Sequence, residues 1–425
     1  MAWTLFLIFV LLLVIKVPVS FCLGVAGAVA LLVGGRNPVV VAQYMYRSVD
    51  TFHLVAIPFF ILAGGFMDSG GISKRLITFA SSLVGHIRGG LAMISVVGAM
   101  FFAGVSGSTA ADTAAIGSIL IPAMEKKNYG KDFATSVMAT AGAIGIIIPP
   151  SIPMVVLGVT GGISIGGLFL GGVIPGILVG FALMFTSYMF AIKRRLTAEP
   201  RVGWRERWTY FRESILALMT MVIIMGGILS GIFTATEASV IAAIYAFIIG
   251  FFVYKELKLS QIPEIIVKSL MTTGVVVFCV ASASSFGWIL TAEEIPAKIA
   301  EVLLSTTSST FGILMLMNGL MLFMGTFLDV APIIIILVPI LYPVASRLGV
   351  SPIHFGVMTI VNMAIGQCTP PVGISLFVSI GISKASLKEI IHTYLIFIGA
   401  MVLVLALVTA FPILITWLPG LMGYK

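Results

Sequence analysis

Two double prolines inside otherwise apolar stretches are the residues best placed to do chemistry in this chain: Ile148-Pro149-Pro150-Ser151 and Thr369-Pro370-Pro371-Val372. Proline removes an amide hydrogen and clashes with the preceding turn, and the residue before it is driven out of helical geometry. The segments 145–151 and 366–372 are therefore expected to unwind inside helices and free carbonyl oxygens, which suit a hard cation. Each break is preceded by a polar, glycine-containing interruption, with 45 residues from Gly104 to Pro149 and 45 from Gly325 to Pro370. The first, Gly104-Val105-Ser106-Gly107-Ser108-Thr109, offers hydroxyl oxygens and a flexible backbone; the second, Gly325-Thr326-Phe327-Leu328-Asp329, brings the Thr326 hydroxyl and the Asp329 carboxylate. Such a turn ends one half-helix and starts another, whose free amides and positive dipole suit an anionic group. Plainer readings stand beside these. A break can be a proline kink satisfied by a neighbouring helix, 104–109 a small-residue packing motif, and Asp329 an N-cap. One break fits the kink best; two at symmetric positions, each paired with its own glycine turn, favour a site.

Other polar residues carry less. Asp112 follows the first turn and reads as a cap or structural partner. Asn362 and Gln367 precede the second break and could reach a substrate, though helix–helix hydrogen bonds suit them equally. Ser282, Ser284 and Ser285 read as packing residues and Glu237 as a cap. The four histidines show no metal spacing, the three cysteines imply no disulfide framework, and no zinc-protease or phosphate-loop motif occurs. Enzymatic function has little support.

The elements that must hold these residues are membrane helices. Of 425 residues, 60% are hydrophobic and 9% charged, with a mean hydropathy of +1.18; a soluble domain carries about 25% charged residues. The apolar runs last about 17–25 residues without the alternation of a β-barrel, so helices are the expected spanning element. The formal charge of +8 reads as membrane orientation, because the basic residues lie in short loops; nucleic acid is not an expected partner. The first segment, Ala2–Val14, reads as a retained membrane helix and not a cleaved signal peptide.

Candidate spans are 2–15, 18–35, 51–69, 133–166, 167–192, 214–233, 237–254, 268–290, 355–383 and 390–418, with 89–124 and 310–346 as re-entrant hairpins. Ten crossings place Arg36, Arg47, Lys298, Arg347 and Lys425 on one side and the other 19 of the 24 basic residues opposite. By the positive-inside rule, both termini lie outside and the loop 193–213 is cytoplasmic. Gly104, Pro122, Gly145, Pro149 and Pro150 all recur 221 residues later. The chain thus divides into repeats 1–212 and 213–425, each with five crossings, so the second is inverted relative to the first, as in many secondary transporters.

The Ser-Gly-Ser-Thr turn, the two Pro-Pro breaks in 145–151 and 366–373, the stretch Gly-Gln-Cys-Thr-Pro-Pro-Val-Gly and the ten-span inverted layout resemble the large membrane subunit of TRAP transporters (tripartite ATP-independent periplasmic transporters, DctM type) over essentially the whole chain. That resemblance implies an all-α polytopic protein of the bacterial inner membrane with an elevator mechanism. A scaffold (helices 2–69 and 214–290) holds mobile hairpins and broken helices, which import a small organic anion, such as a dicarboxylate, sugar acid or sialic acid, together with at least two Na+ ions. By position it puts one sodium site on Ser106, Ser108 and the carbonyls of Gly145, Ile148 and Pro150. A second falls on Gly325, Gly366, Thr369 and Val372. Asp329, Thr109, Ser151, Thr326, Asn362 and Gln367 are left as substrate or coupling candidates. It further implies a small four-helix membrane subunit, expected as a separate polypeptide, and a periplasmic substrate-binding protein. The nearest rival is a stand-alone sodium-coupled anion symporter of the same plan; a channel and an intramembrane enzyme are more distant ones.

Overall fold

The structure, a computed structural model, describes residues 1–198, 200–371 and 373–424. It is all-helical, with no strand among the described residues. In chain order the helices are α1 (Ala2–Val14), α2 (Val19–Val33), α3 (Val39–Val49), α4 (Ala56–Ser69), α5 (Ile72–Val84), α6 (Gly90–Ser106), α7 (Thr109–Lys126), α8 (Lys131–Gly142), α9 (Ile152–Gly161) and α10 (Ile165–Lys193). There follow α11 (Trp204–Leu229), α12 (Ala235–Ile248), α13 (Ile262–Ala292), α14 (Ile295–Thr306), α15 (Thr310–Gly325), α16 (Val330–Arg347), α17 (Pro352–Gly366), α18 (Ile374–Ser383), α19 (Leu387–Ala410) and α20 (Ile413–Leu421). Seven described helical stretches are long and apolar enough to cross a bilayer: Phe52–Ser69, Ile165–Lys193, Trp204–Leu229, Ala235–Val253, Leu259–Ala292, Val330–Arg347 and Leu387–Ala410. The first two candidate spans, 2–15 and 18–35, are parted at Lys16, whose φ is +64°. α1 and α2 then fold back on each other, with Met1 against Gly34.

Local chemistry explains most boundaries. Ser164 caps α10 by accepting from the Gly167 amide at 3.2 Å. Thr234 and Glu237 form a reciprocal capping box at the head of α12, with Thr234 N donating to Glu237 Oε2 at 2.8 Å and Glu237 N to Thr234 Oγ1 at 3.3 Å. Glu237 therefore does the work of a cap. Pro412 stops α19 at Ala410, so the apolar run 390–418 is two helices. Hydropathy alone passes over α5, which reads as a polar connector. Its Ile72, Leu76, Phe79 and Ala80 lie on one buried face while Lys74 and Thr78 face out. α11 starts ten residues before the span expected at 214, because its first turns are charged.

The two polar interruptions are the tips of helical hairpins. The Leu91 amide, at the start of α6, donates to the hydroxyl of Tyr129, just past the end of α7, at 3.3 Å, so α6 and α7 run antiparallel. The open ends of α15 and α16 likewise border one cavity, through Thr310 and Leu348. Helix bounds keep the sequence offset: α7 and α16 start and end 221 residues apart, and α8 and α17 start 221 apart. The halves cross-pack. α9 lies on α16, and α18, its counterpart, lies on α7. Around this core α1–α5 and α11–α13 form a second layer, in which α4 packs on α12 and α13, and α13 on α2 and α3.

Candidate functional site: two hairpin tips against two broken helices

The first broken helix runs α8, a 3-10 turn over Ala143–Ile146, an irregular stretch through Pro150, and α9. Ser151 closes it, accepting from the Met154 amide at 3.4 Å and donating to the Ile146 carbonyl at 2.7 Å. The tip of the first hairpin seats on this break. Gly107 sits at φ +61°, and a Cβ there would lie 2.9 Å from the Pro150 oxygen and 3.2 Å from the Ile152 nitrogen. Conformation and space both demand glycine. Gly145 lies against the Asp112 carboxylate, and a Cβ there would be 3.6 Å from the Ser108 carbonyl carbon.

Ser106, Ser108, Gly145 and Pro150 are thus brought together. Among the described residues, the carbonyls of Gly145, Ile148 and Pro150 accept no hydrogen bond. Buried carbonyls ordinarily find a partner, so the free ones of Gly145 and Pro150 beside the serine-bearing tip form an oxygen cradle. Ser106 Oγ donates to Asp112 and accepts from the Ser108 amide at 3.1 Å. Asp112 is fully buried, and its second oxygen, Oδ2, has no partner. Sequence reasoning under-weighted this residue. Its signal was present: a carboxylate inside an apolar hairpin is costly unless it is used. The Thr109 hydroxyl beside it is also buried and unpartnered.

The second site is tighter and differs in chemistry. α15 and α17 touch backbone to backbone, since a Cβ on Gly366 would lie 2.9 Å from the Gly325 Cα. A cleft of about 30 Å³ opens there, lined by Gly325, Leu328, Asp329, Gln367, Gly373 and Ile374. Space of that size holds at most a few water molecules. Asp329 caps α16 through the Val330 amide at 2.7 Å and accepts from Gln367 Nε2 at 2.9 Å, so it is both cap and cleft wall. Gln367 Oε1 is buried without a partner. The Gly366 carbonyl accepts from the Thr369 amide at 2.9 Å, and the Thr369 carbonyl from the Gly373 amide at 3.2 Å; each keeps a second lone pair. The hydroxyls of Thr326 and Thr369 bond back into their own helices, to Phe323 O and Ile365 O at 2.8 Å each. Val372 lies outside the described residues. Asn362 turns away from the cleft: its Nδ2 donates to the Asn318 carbonyl and Oδ1, both at 2.9 Å, and Asn318 Nδ2 donates to Thr409 Oγ1 at 3.0 Å. This is a buried tie between α15, α17 and α19.

A polar stitch that sequence reasoning missed joins the two broken helices. Ser375 Oγ and Cys368 Sγ both donate to the Ala139 carbonyl, the latter at 3.4 Å, and Ser375 lies 3.2 Å from Thr113 Oγ1 of the first hairpin. Tyr394 of α19 donates to the Cys368 carbonyl. The two broken helices are therefore tied to each other beside the hairpin tips.

In front of the first tip lies a cavity of about 580 Å³ between Ser106, Ser108 and Ala111 on one side and α4 and α13 on the other. Its wall carries one cation, Lys268, beside Ser269 and Thr272, with Asp68 of α4 as its carboxylate. Lys268 falls inside α13, not in a loop, because that helix begins at Ile262. The larger cavity at the open end of the second hairpin, about 660 Å³, has no Asp, Glu, Lys or Arg among the described residues of its lining.

The described residues thus form a polytopic helical protein with a charged cavity between its helix layers. The chain belongs to the family described as "Tripartite ATP-independent periplasmic transporter, DctM component", whose profile matches residues 6–414; it is a TRAP transporter large permease and not an enzyme. The resemblance read from the double prolines is thus a family membership. The chain is 39% identical over 421 residues to the C4-dicarboxylate TRAP transporter large permease protein DctM of Rhodobacter capsulatus, covering 96% of both chains. It is 41% identical over 409 residues to the sialic acid TRAP transporter large permease protein SiaM of Vibrio cholerae, again covering 96% of both. It is 42% identical over 414 residues to the isethionate TRAP transporter permease protein DctMQ of Oleidesulfovibrio alaskensis, covering 95% of this chain and 64% of that one; the chain thus spans about two thirds of that relative's length. Among solved structures, the YdaH transporter of Alcanivorax borkumensis has the same fold, with a TM-score of 0.64 at 14% identity over 89% of this chain and 88% of that one.

Proposed function

We propose that this chain carries a small organic anion and at least two Na+ ions together across the bacterial inner membrane, by an elevator movement of its hairpins and broken helices against the outer helix layer. One observation carries the reading: the carbonyls of Gly145 and Pro150, which accept no hydrogen bond among the described residues, lie at the first hairpin tip that bears Ser106 and Ser108. Buried oxygens of this kind, with no proton to share, ask for a hard monovalent or divalent cation. The small cleft beside Asp329 and Gln367 is the second cradle. The cavity between the first tip and Lys268 supports a site for the anion there, since its wall carries a cation.

The two halves are read as inverted repeats, with both termini periplasmic and the loop 193–213 cytoplasmic. The family's description as a tripartite transporter supports two partners, a small four-helix membrane subunit and a periplasmic substrate-binding protein. Relatives named for C4-dicarboxylate, sialic acid and isethionate make a small carboxylate or sulfonate the substrate class.

The test is uptake into proteoliposomes holding this chain with its small subunit and binding protein, using labelled succinate, N-acetylneuraminate and isethionate as probes. An inward sodium gradient is expected to drive accumulation of one probe, and only with the binding protein present. Accumulation without sodium would overturn the coupling; full uptake without the binding protein would favour a stand-alone symporter.

A further inference from the structure

The first turns of α11 carry a feature that transport does not use. α11 has 26 residues and so is ~39 Å long, about 9 Å more than a hydrocarbon core of roughly 30 Å. The excess lies at its charged start. At ~100° per residue, Trp204, Trp208, Phe211 and Ile215 fall within about 60° of the helix circumference. Arg205 and Arg212 flank that stripe on one side and Arg207 on the other, while Glu206 and Glu213 fall on the opposite face. Trp204 is 76% exposed and Trp208 58%. The same stripe continues down the span as exposed Ile215, Met219 and Val222, so the two indoles prolong a lipid-facing surface to the depth of the headgroups, where tryptophan concentrates. Phe211 closes one edge by packing on Phe79 of α5, with ring centroids 5.6 Å apart. Arg207 is wedged beside it, and its Nε is buried with no hydrogen-bond partner. No ion pair involves Arg205, Arg207 or Arg212 among the described residues.

We propose that this arginine-flanked aromatic stripe is a binding surface for anionic phospholipid, with the indoles against the acyl–glycerol boundary, Arg205 and Arg212 on the phosphate at one flank and Arg207 on the phosphate at the other. The charge complementarity is that of basic groups on an anionic leaflet, and guanidinium groups match phosphate geometry by paired hydrogen bonds. The site rests on the reading above only for which leaflet it faces.

The test uses the full chain with Trp3, Trp288 and Trp417 replaced by Phe, in lipid nanodiscs of equal composition on both faces. This leaves it independent of orientation and of transport. Brominated phosphatidylglycerol is expected to quench Trp204 and Trp208 at about fivefold lower mole fraction than brominated phosphatidylcholine. R205Q/R207Q/R212Q should make the two lipids equivalent, and R205K/R207K/R212K should retain most of the preference, which separates lost charge from lost folding. Equal quenching by both lipids in the parent protein, or a preference that survives the glutamine variant, would overturn the site. So would quenching by acrylamide with none by either lipid, since the indoles would then stand in water. Inorganic phosphate at millimolar excess should leave the preference intact; its loss would mark a free-anion site and refute the lipid assignment.

Discussion

Gly325 and Gly366 meet with no side chain between them: a Cβ on either would sit 2.9–3.0 Å from the Cα of the other. The end of α15 and the end of α17 therefore share one wall of the cleft that holds Asp329 and Gln367. Gly366→Ala must push the two backbones apart, an overpacking cost of about 1–3 kcal/mol, and widen a cleft sized for a small occupant. The expected result is a protein that inserts and migrates normally but needs at least about tenfold more sodium for half-maximal uptake, since ~1.4 kcal/mol is a factor of ten in affinity. Sodium titration of uptake in proteoliposomes reads this directly. An unchanged titration would remove the cleft from the coupling scheme.

The two cradles use different anionic support, and each can be weakened alone. Ser106→Ala removes one hydroxyl from the first cradle and also the hydrogen bond that Asp112 accepts. Asp329→Ala removes a carboxylate from the second and frees Gln367. Both variants are expected to insert normally and to lower sodium-coupled uptake, by about tenfold or more if each loses roughly 1.5–3 kcal/mol of charge-assisted contact. If both retain the parent sodium dependence, the cradles are misassigned.

Lys268 is the cation of the cavity wall and faces the first hairpin tip across open space. Lys268→Gln should raise the KM for the anionic probe several-fold with little change in the sodium requirement, and Lys268→Arg should restore most of the loss. An equal drop in kcat for both variants would instead point to a structural role of α13. The measurement is initial uptake rate against probe concentration at saturating sodium.

Topology can be checked without any substrate. Cys22, Cys279 and Cys368 are all buried, so an added thiol is read against a low background. Val202→Cys, in the loop before α11, should react with an impermeant maleimide in inside-out vesicles and not in intact cells. Labelling from outside would overturn the proposed orientation.

The residues themselves determined a good deal. Proline chemistry is local, so both helix breaks were legible at Pro149-Pro150 and Pro370-Pro371. Glycine at 107, 325 and 366 marked the places where backbone had to turn or touch, and a long apolar period marks a membrane helix whatever surrounds it. The 221-residue offset came from the same punctuation. What the sequence could not decide was which groups would face one another across hundreds of positions. Asp112 reads as a cap or structural partner, and the Gly145 that it lies against and its unpartnered oxygen appear only in three dimensions. Asn362 and Gln367, five residues apart and alike in chemistry, part company because a helix turns about 100° per residue. One is carried into the Asn318–Thr409 tie and the other to Asp329. Lys268 looked like a loop charge because hydropathy starts a helix where polarity ends, whereas α13 starts where its backbone hydrogen bonds do. Local sequence sets where the chain must bend; only packing sets which bend meets which.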